Sequence, residues 1–121
     1  MLKKILLIDD EPDVLYVSRI SLSSVGGWVV IAANNATEAM ALAKQEKPSL
    51  ILLDVVMKPT SGIDIFLLLQ KDPETSLIPV ILLTVRPYDT DVRRLGARGI
   101  IAKPFDPLKL PEQIKQILQA A

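Results

Sequence analysis

The sequence predicts an α/β fold, a doubly wound parallel sheet of five strands with helices on both faces. Three observations carry that prediction. Five short runs rich in Val, Ile and Leu recur along the 121 residues, at 4–8, 28–32, 50–55, 80–85 and 99–102. None alternates with polar residues, which is how a strand reads when both of its faces are covered. Between the runs lie segments of helical spacing, and such alternation implies parallel pairing through right-handed crossovers.

The first strand is 4–8, and a helix over 12–23 follows it. Pro12 suits a first helical position, and Val14, Leu15, Val17, Ser18 and Leu22 share one face. Gly26 and Gly27 stop that helix before the second strand at 28–32. Asn34 and Asn35 are capping candidates for a second helix over 36–45. The strand at 50–55 leads to a helix over 63–71, closed by Asp72 and Pro73. After the strand at 80–85 comes a short helix over 88–95 ending at Gly96. The strand at 99–102 and a helix over 108–119 complete a single domain, residues 1–121, with no repeat, linker or low-complexity tract.

Composition narrows the chemistry. The chain has neither Cys nor His, which removes disulfides, thiolate metal sites, the commonest general base and the commonest transition-metal ligand. What remains is carboxylate, hydroxyl, amine and hard-cation chemistry. Fourteen basic residues balance fourteen acidic ones, so no basic excess points to direct nucleic-acid binding. The apolar start from Met1 stops at Asp9, short of the roughly 7–15 residues of a signal core. No apolar run approaches the ~20 residues of a membrane span. The reading is a cytoplasmic chain with no membrane partner.

In an open parallel sheet, functional groups collect beyond the carboxyl ends of the strands. Here those ends carry Asp9, Asp10 and Glu11, then Asp54, then Thr84, and finally Lys103 before Pro104. With the first and third strands adjacent, carboxylates converge with a hydroxyl and an ammonium at the rim. Clustered carboxylates repel unless a cation sits among them, and hard oxygen ligands select Mg²⁺ or a similar ion. A carboxylate flanked by a divalent ion and a lysine can attack phosphorus, because the cations neutralise the phosphoryl oxygens. The constellation therefore predicts an aspartyl-phosphate site.

The same residues carry a family resemblance. Ile8 through Pro12, Leu53 and Asp54 with Gly62 downstream, Leu83 and Thr84, and Lys103 through Phe105 together resemble the response-regulator receiver family of two-component signalling. The Gly27–Trp28 turn and the stretch 33–39 look like that family's second strand and helix, so the resemblance spans the chain. It implies a flavodoxin-like sheet of order 2-1-3-4-5. It implies Asp54 as phosphoacceptor, with Thr84 and Lys103 contacting the phosphoryl group. Mg²⁺ (or Mn²⁺) would be held by Asp10, Asp54 and the Val56 backbone carbonyl, and by Asp9 through water. A cis bond is expected between Lys103 and Pro104. The implied partners are a sensor histidine kinase or phosphotransfer protein and a downstream protein or output domain. Any catalysis would be limited to the domain's own phosphorylation and dephosphorylation.

Departures from the family pattern gather late in the chain. The stretch from Thr84 to Lys103 is about three residues short, close to one helical turn, which shortens the fourth helix. Ile100 stands where the family commonly has Tyr or Phe, and Val85 replaces a smaller residue. Pro59, after Lys58, is displaced by one place. The main rival reading is a receiver-like interaction module that does not switch. A phosphatase with an Asp nucleophile wants a second acid two residues on, where Asp54 is followed by Val55 and Val56. A flavin or nucleotide binder wants a glycine- or hydroxyl-rich phosphate loop after the first strand, and that loop is acidic here.

Overall fold

In the computed structural model, residues 3–120 are described, leaving Met1 and Leu2 of the apolar start outside the described residues. The elements are β1 (Lys4–Ile8), α1 (Pro12–Ile20) with a π-helical turn over Ser21–Val25, β2 (Val29–Ala33) and α2 (Ala36–Glu46). Then come β3 (Leu50–Asp54), α3 (Gly62–Lys71), β4 (Val80–Thr84), α4 (Thr90–Arg94), β5 (Gly99–Ala102) and α5 (Leu110–Gln119). All strand pairings are parallel, in the order β2-β1-β3-β4-β5 expected from the sequence. The switch in strand order falls between β1 and β3, where a crevice opens beyond their carboxyl ends.

Every residue of β3 and β4 is buried, as unalternating apolar strands require. Their side chains divide between two cores. Leu6, Ile8, Ile51, Leu53 and Leu82 pack on the side that includes Ala39, Ala43, Ile65, Phe66 and Val92 of α2, α3 and α4. Ile5, Leu7, Leu50, Leu52, Ile81 and Leu83 face Leu22, Leu110 and Ile114 on the other side. Each fully buried Leu or Ile contributes roughly 1.5–3 kcal/mol relative to exposure, so the sheet is a rigid platform for whatever its ends carry.

Caps set most helix starts. The Asn35 side chain accepts the Glu38 N–H at 2.8 Å, and the Ser61 hydroxyl accepts the Asp64 N–H at 3.2 Å. Asp89 accepts the N–H groups of Asp91 and Val92, which fixes the start of α4 at Thr90 and leaves Tyr88 outside the helix. The helix expected over 88–95 is therefore only five residues long. The last helix starts at Leu110 rather than 108, because Asp106 accepts the Leu108 N–H in a turn. At the start of the second strand, Trp28 precedes the ladder and inserts its indole into the core instead. On α1 the expected face holds at Val14, Leu15, Ser18 and Leu22, which are buried or half-buried, while Val17 stands exposed and Ser21 is buried in its stead.

Candidate functional site

Register alone assembles the site. Ile8 lies opposite Leu53, Asp54 opposite Leu83, and Thr84 opposite Ala102, so four strands end at nearly one level. Asp9, Asp54 and Thr84 are each no more than 3% exposed at those ends. Burying two carboxylates side by side is costly without compensation, and the compensation is visible. The Lys103 ammonium lies 3.1 Å from Asp9 Oδ2 and 3.3 Å from Asp54 Oδ1. The Glu11 N–H donates to Asp9 Oδ1 at 2.9 Å, and the Val56 N–H donates to Asp54 Oδ1 at 3.3 Å.

The rest of the rim is tied down by backbone. The Lys58 N–H donates to Asp10 Oδ2 at 3.2 Å, linking the loop after β3 to the loop after β1. The Arg86 N–H donates to Thr84 Oγ1 at 3.0 Å, which occupies the hydroxyl as acceptor and leaves its own hydrogen to donate. The Lys103 N–H donates to the Thr84 carbonyl at 2.8 Å. The Lys103–Pro104 peptide is cis as expected, and so is Lys58–Pro59. Gly62 shows why a glycine is needed there. A Cβ at that position would come within 1.8 Å of the Asp54 carbonyl oxygen, and the Gly62 N–H bonds the Val55 carbonyl at 2.9 Å.

Burial pushes the Asp54 carboxyl up to about 6, and the neighbouring Asp9 charge adds to that while Lys103 opposes it. For Lys103, burial lowers the pKa, but the hydrogen bond and charge of Asp9, followed by those of Asp54, outweigh it and leave the ammonium more firmly protonated than usual. Carboxylate oxygens of Asp9, Asp10, Glu11 and Asp54 all lie within 4.8 Å of one another. One lysine faces this cluster, so negative charge is in excess and every donor is a hard oxygen. That donor set fits a small divalent cation of the Mg²⁺ kind.

All the residues singled out by sequence meet here: Asp9, Asp10, Asp54, Val56, Thr84 and Lys103. Glu11 joins the acidic cluster although no ligand role was expected of it; its place in the run Asp9–Glu11 was the available signal. The backbone donors from Val56, Lys58 and Arg86 had no sequence signal, because any residue supplies an N–H. Two openings flank the site. One, of about 420 Å³, is lined by Val56, Thr84, Arg86 and Asp89. The other, of about 400 Å³, runs between Val14 and Val17 of α1 and Phe105 and Pro107, with Lys103 at its inner end. Among the described residues, no helix is long and apolar enough to cross a membrane.

Comparison with known proteins agrees with this geometry. Residues 5–115 match the model of the response regulator receiver domain. The chain is 39% identical over 118 residues to the protein PilH of Pseudomonas aeruginosa, covering 95% of this chain and 97% of that one. It is 36% identical to the phosphate regulon transcriptional regulatory protein PhoB of the same organism, covering 97% of this chain but 52% of PhoB. Among solved structures, the receiver domain of the sensor histidine kinase PA1611 from Pseudomonas aeruginosa superposes with a TM-score of 0.86 at 22% identity, covering 99% of this chain and all of that one. That structure has a magnesium ion coordinated in its active-site cleft. The chain belongs to the response regulator receiver domain family.

Proposed function

For this member of the receiver family we propose that Asp54 is the phosphoacceptor and that Thr84 and Lys103 hold the phosphoryl group while it is transferred. The observation that carries the reading is the pairing of one ammonium, Lys103, with two buried carboxylates, Asp9 and Asp54, at adjoining strand ends. Asp54 Oδ1 receives both Lys103 and the Val56 N–H, leaving Oδ2 without a donor among the described residues. A carboxylate oxygen of Asp54 attacks phosphorus as the bond to the donor's imidazole nitrogen breaks. The imidazole leaves with the electron pair and takes up a proton. Lys103 neutralises phosphoryl oxygens, and the Thr84 hydroxyl donates to one of them.

Mg²⁺ (or Mn²⁺), held by Asp10, Asp54 and the Val56 carbonyl and by Asp9 through water, would supply further positive charge against the phosphoryl oxygens. The magnesium in the PA1611 receiver supports this, together with the excess of hard oxygen donors here. The proposed donor is a histidine kinase or phosphotransfer protein. The apolar opening lined by Val14, Val17, Phe105 and Pro107 also reaches Lys103, and the donor would dock there. On this reading the whole chain, 1–121, is one signalling domain of the cytoplasm with no direct nucleic-acid or membrane contact. Its balanced charge fits the lack of a nucleic-acid role, and a chain without Cys fits a reducing compartment.

The test is to incubate the protein with Mg²⁺ and a small acyl phosphate and record its intact mass, with Asp54→Asn in parallel. A single base-labile phosphoryl adduct, absent from Asp54→Asn, is expected. An adduct that survives in Asp54→Asn would place the acceptor elsewhere.

A further inference from the structure

The pole of the molecule opposite Asp54 carries a cleft of about 550 Å³. It opens at the amino-terminal ends of β1 and β2, where Lys3 and Trp28 each stand one residue before their strand. The Val29 N–H donates to the Lys3 carbonyl at 2.8 Å, so the two chain segments enter the sheet side by side. The facing wall is the end of α5, through Lys115, Leu118 and Gln119.

Two glycines shape the remaining side. A Cβ on Gly26 would come within 2.7 Å of Trp28 Cδ1 and 2.8 Å of the Leu22 carbonyl oxygen, so only bare backbone lets the turn close against the indole. Gly27 has a φ of +73°, and a Cβ there would meet nothing within 4 Å. The rim is therefore open at Gly27, while Trp28 and Leu118 belong to the core behind it.

Charge sets this cleft apart. Among the described residues, neither Lys3 nor Lys115 has a carboxylate within 4 Å, because the ion pairs are Lys4–Glu46, Lys44–Asp72 and those of Lys103. The Lys3 ammonium lies 5.8 Å from the Trp28 ring centroid, a cation–π distance that holds it over the indole. A helix carboxyl end ordinarily repels anions. Here the Ala120 N–H donates to the carbonyls of Gln116 and Ile117, and the Arg98 guanidinium donates to those of Leu118 and Ala120 at 2.6 and 3.0 Å. The Arg98 charge offsets the negative end of α5.

We propose that this cleft binds a small planar anion, an aromatic ring bearing a carboxylate or phosphate, with the ring against Trp28 and Leu118 and the anionic group paired with Lys3 and Lys115. This goes beyond the receiver reading, since none of these residues belongs to the phosphoacceptor site. The volume lies within the roughly 300–1,000 Å³ of small-molecule sites, and apolar walls with a few polar groups are their usual lining. Two lysines are too few for a nucleic-acid backbone, which needs a run of positive charge along a groove.

The experiment titrates isotopically labelled protein, without Mg²⁺, with 2-naphthoate, 2-naphthyl phosphate and the neutral 2-naphthalenemethanol, followed by NMR. Trp28 is the only tryptophan, so its indole N–H resonance reports on the cleft alone. Saturable shifts centred on residues 26–28 and 115–119 are expected with the anions, and the tighter of the two identifies the anionic group. The neutral alcohol is expected to bind about tenfold more weakly or worse, as lost charge-assisted hydrogen bonds imply. The Lys3→Gln, Lys115→Gln double variant is expected to lose affinity to the same extent, and Lys3→Arg with Lys115→Arg to retain it. Gly27→Asn, which tolerates positive φ, puts a side chain at the open rim and is expected to weaken binding with the circular dichroism unchanged.

Absence of shifts with both anions would overturn the proposal. So would equal binding of the neutral alcohol, full affinity in the Lys3→Gln, Lys115→Gln variant, or shifts centred on Asp54, Thr84 and Lys103. The acyl-phosphate adduct on Asp54 is expected to form at the parent rate in that double variant, so the two readings stand or fall separately.

Discussion

The carboxyl ends of β1, β3 and β4 and the α4–β5 edge adjoin one another yet are built on opposite terms. At the first, Asp9, Asp54 and Thr84 are buried, and each polar group has a named partner within 3.3 Å. At the second, Arg93 and Arg94 stand in solvent on a helix of five residues, and Tyr88 stands in solvent just before it. Buried charge must be matched group by group, so every partner there matters. An exposed edge is held by few contacts and can change its chemistry at small cost to the fold. The site is where function is fixed, and the edge is where it can diverge.

That contrast breaks most sharply at the lysine. Lys103→Met keeps the volume and removes, among the described residues, the only ammonium facing two buried carboxylates. The expected result is adduct formation slowed about 100- to 1000-fold, comparable with losing a preorganised oxyanion donor, as followed by intact mass over time. Gly62→Ala attacks the same region through sterics. A Cβ within 1.8 Å of the Asp54 carbonyl forces the backbone to move, and a loss of about 3 kcal/mol or more in urea unfolding is expected.

Asp54 also makes stability depend on pH. Without a bound cation, the folded state keeps the Asp54 proton up to about 6, whereas the unfolded carboxyl releases it near its ordinary 3.8. Between those values the folded state binds more protons, so stability falls as pH rises through the window, by about 3 kcal/mol at most. Urea unfolding of Asp54→Asn across the same window is expected to lose this component of the slope. Retention of the full slope would assign it to another group.

The edge provides the smallest effect. Ile100 is half-buried against the core that includes Leu82 and Val92, so Ile100→Ala is expected to cost about 1 kcal/mol in thermal or urea unfolding. Adduct formation in that variant is expected to match the parent. A loss comparable to that of Gly62→Ala would show the edge to be part of the structural frame.

Much of the site was legible in the sequence because chemistry limits the residue types that can do the work. An acid ending the run Leu50–Asp54, or a Thr ending Val80–Thr84, stands out against an all-apolar strand. Periodicity and capping residues gave the strand order its elements, and the family resemblance supplied the order itself. What escaped was set by backbone and tertiary packing. Asp89 reads as one more polar loop residue until it is seen capping α4, and that cap shortens the helix from the expected 88–95 to Thr90–Arg94. The π-helical turn at Ser21–Val25, where Ser21 and Leu22 are both buried, is announced by no residue type. The arginines of α4 were legible in number, but nothing in the sequence placed Arg93 beside Ile100 in one cleft.

The link between the two regions can be measured directly with amide NMR spectra recorded with Mg²⁺ alone and with Mg²⁺ plus beryllofluoride, a phosphoryl mimic. If the site switches the edge, changes begin at Asp54, Thr84 and Lys103 and extend through residues 86–102. Changes confined to the residues around the ion, with α4 and β5 unmoved, would contradict that link and leave a phosphoacceptor whose output lies elsewhere.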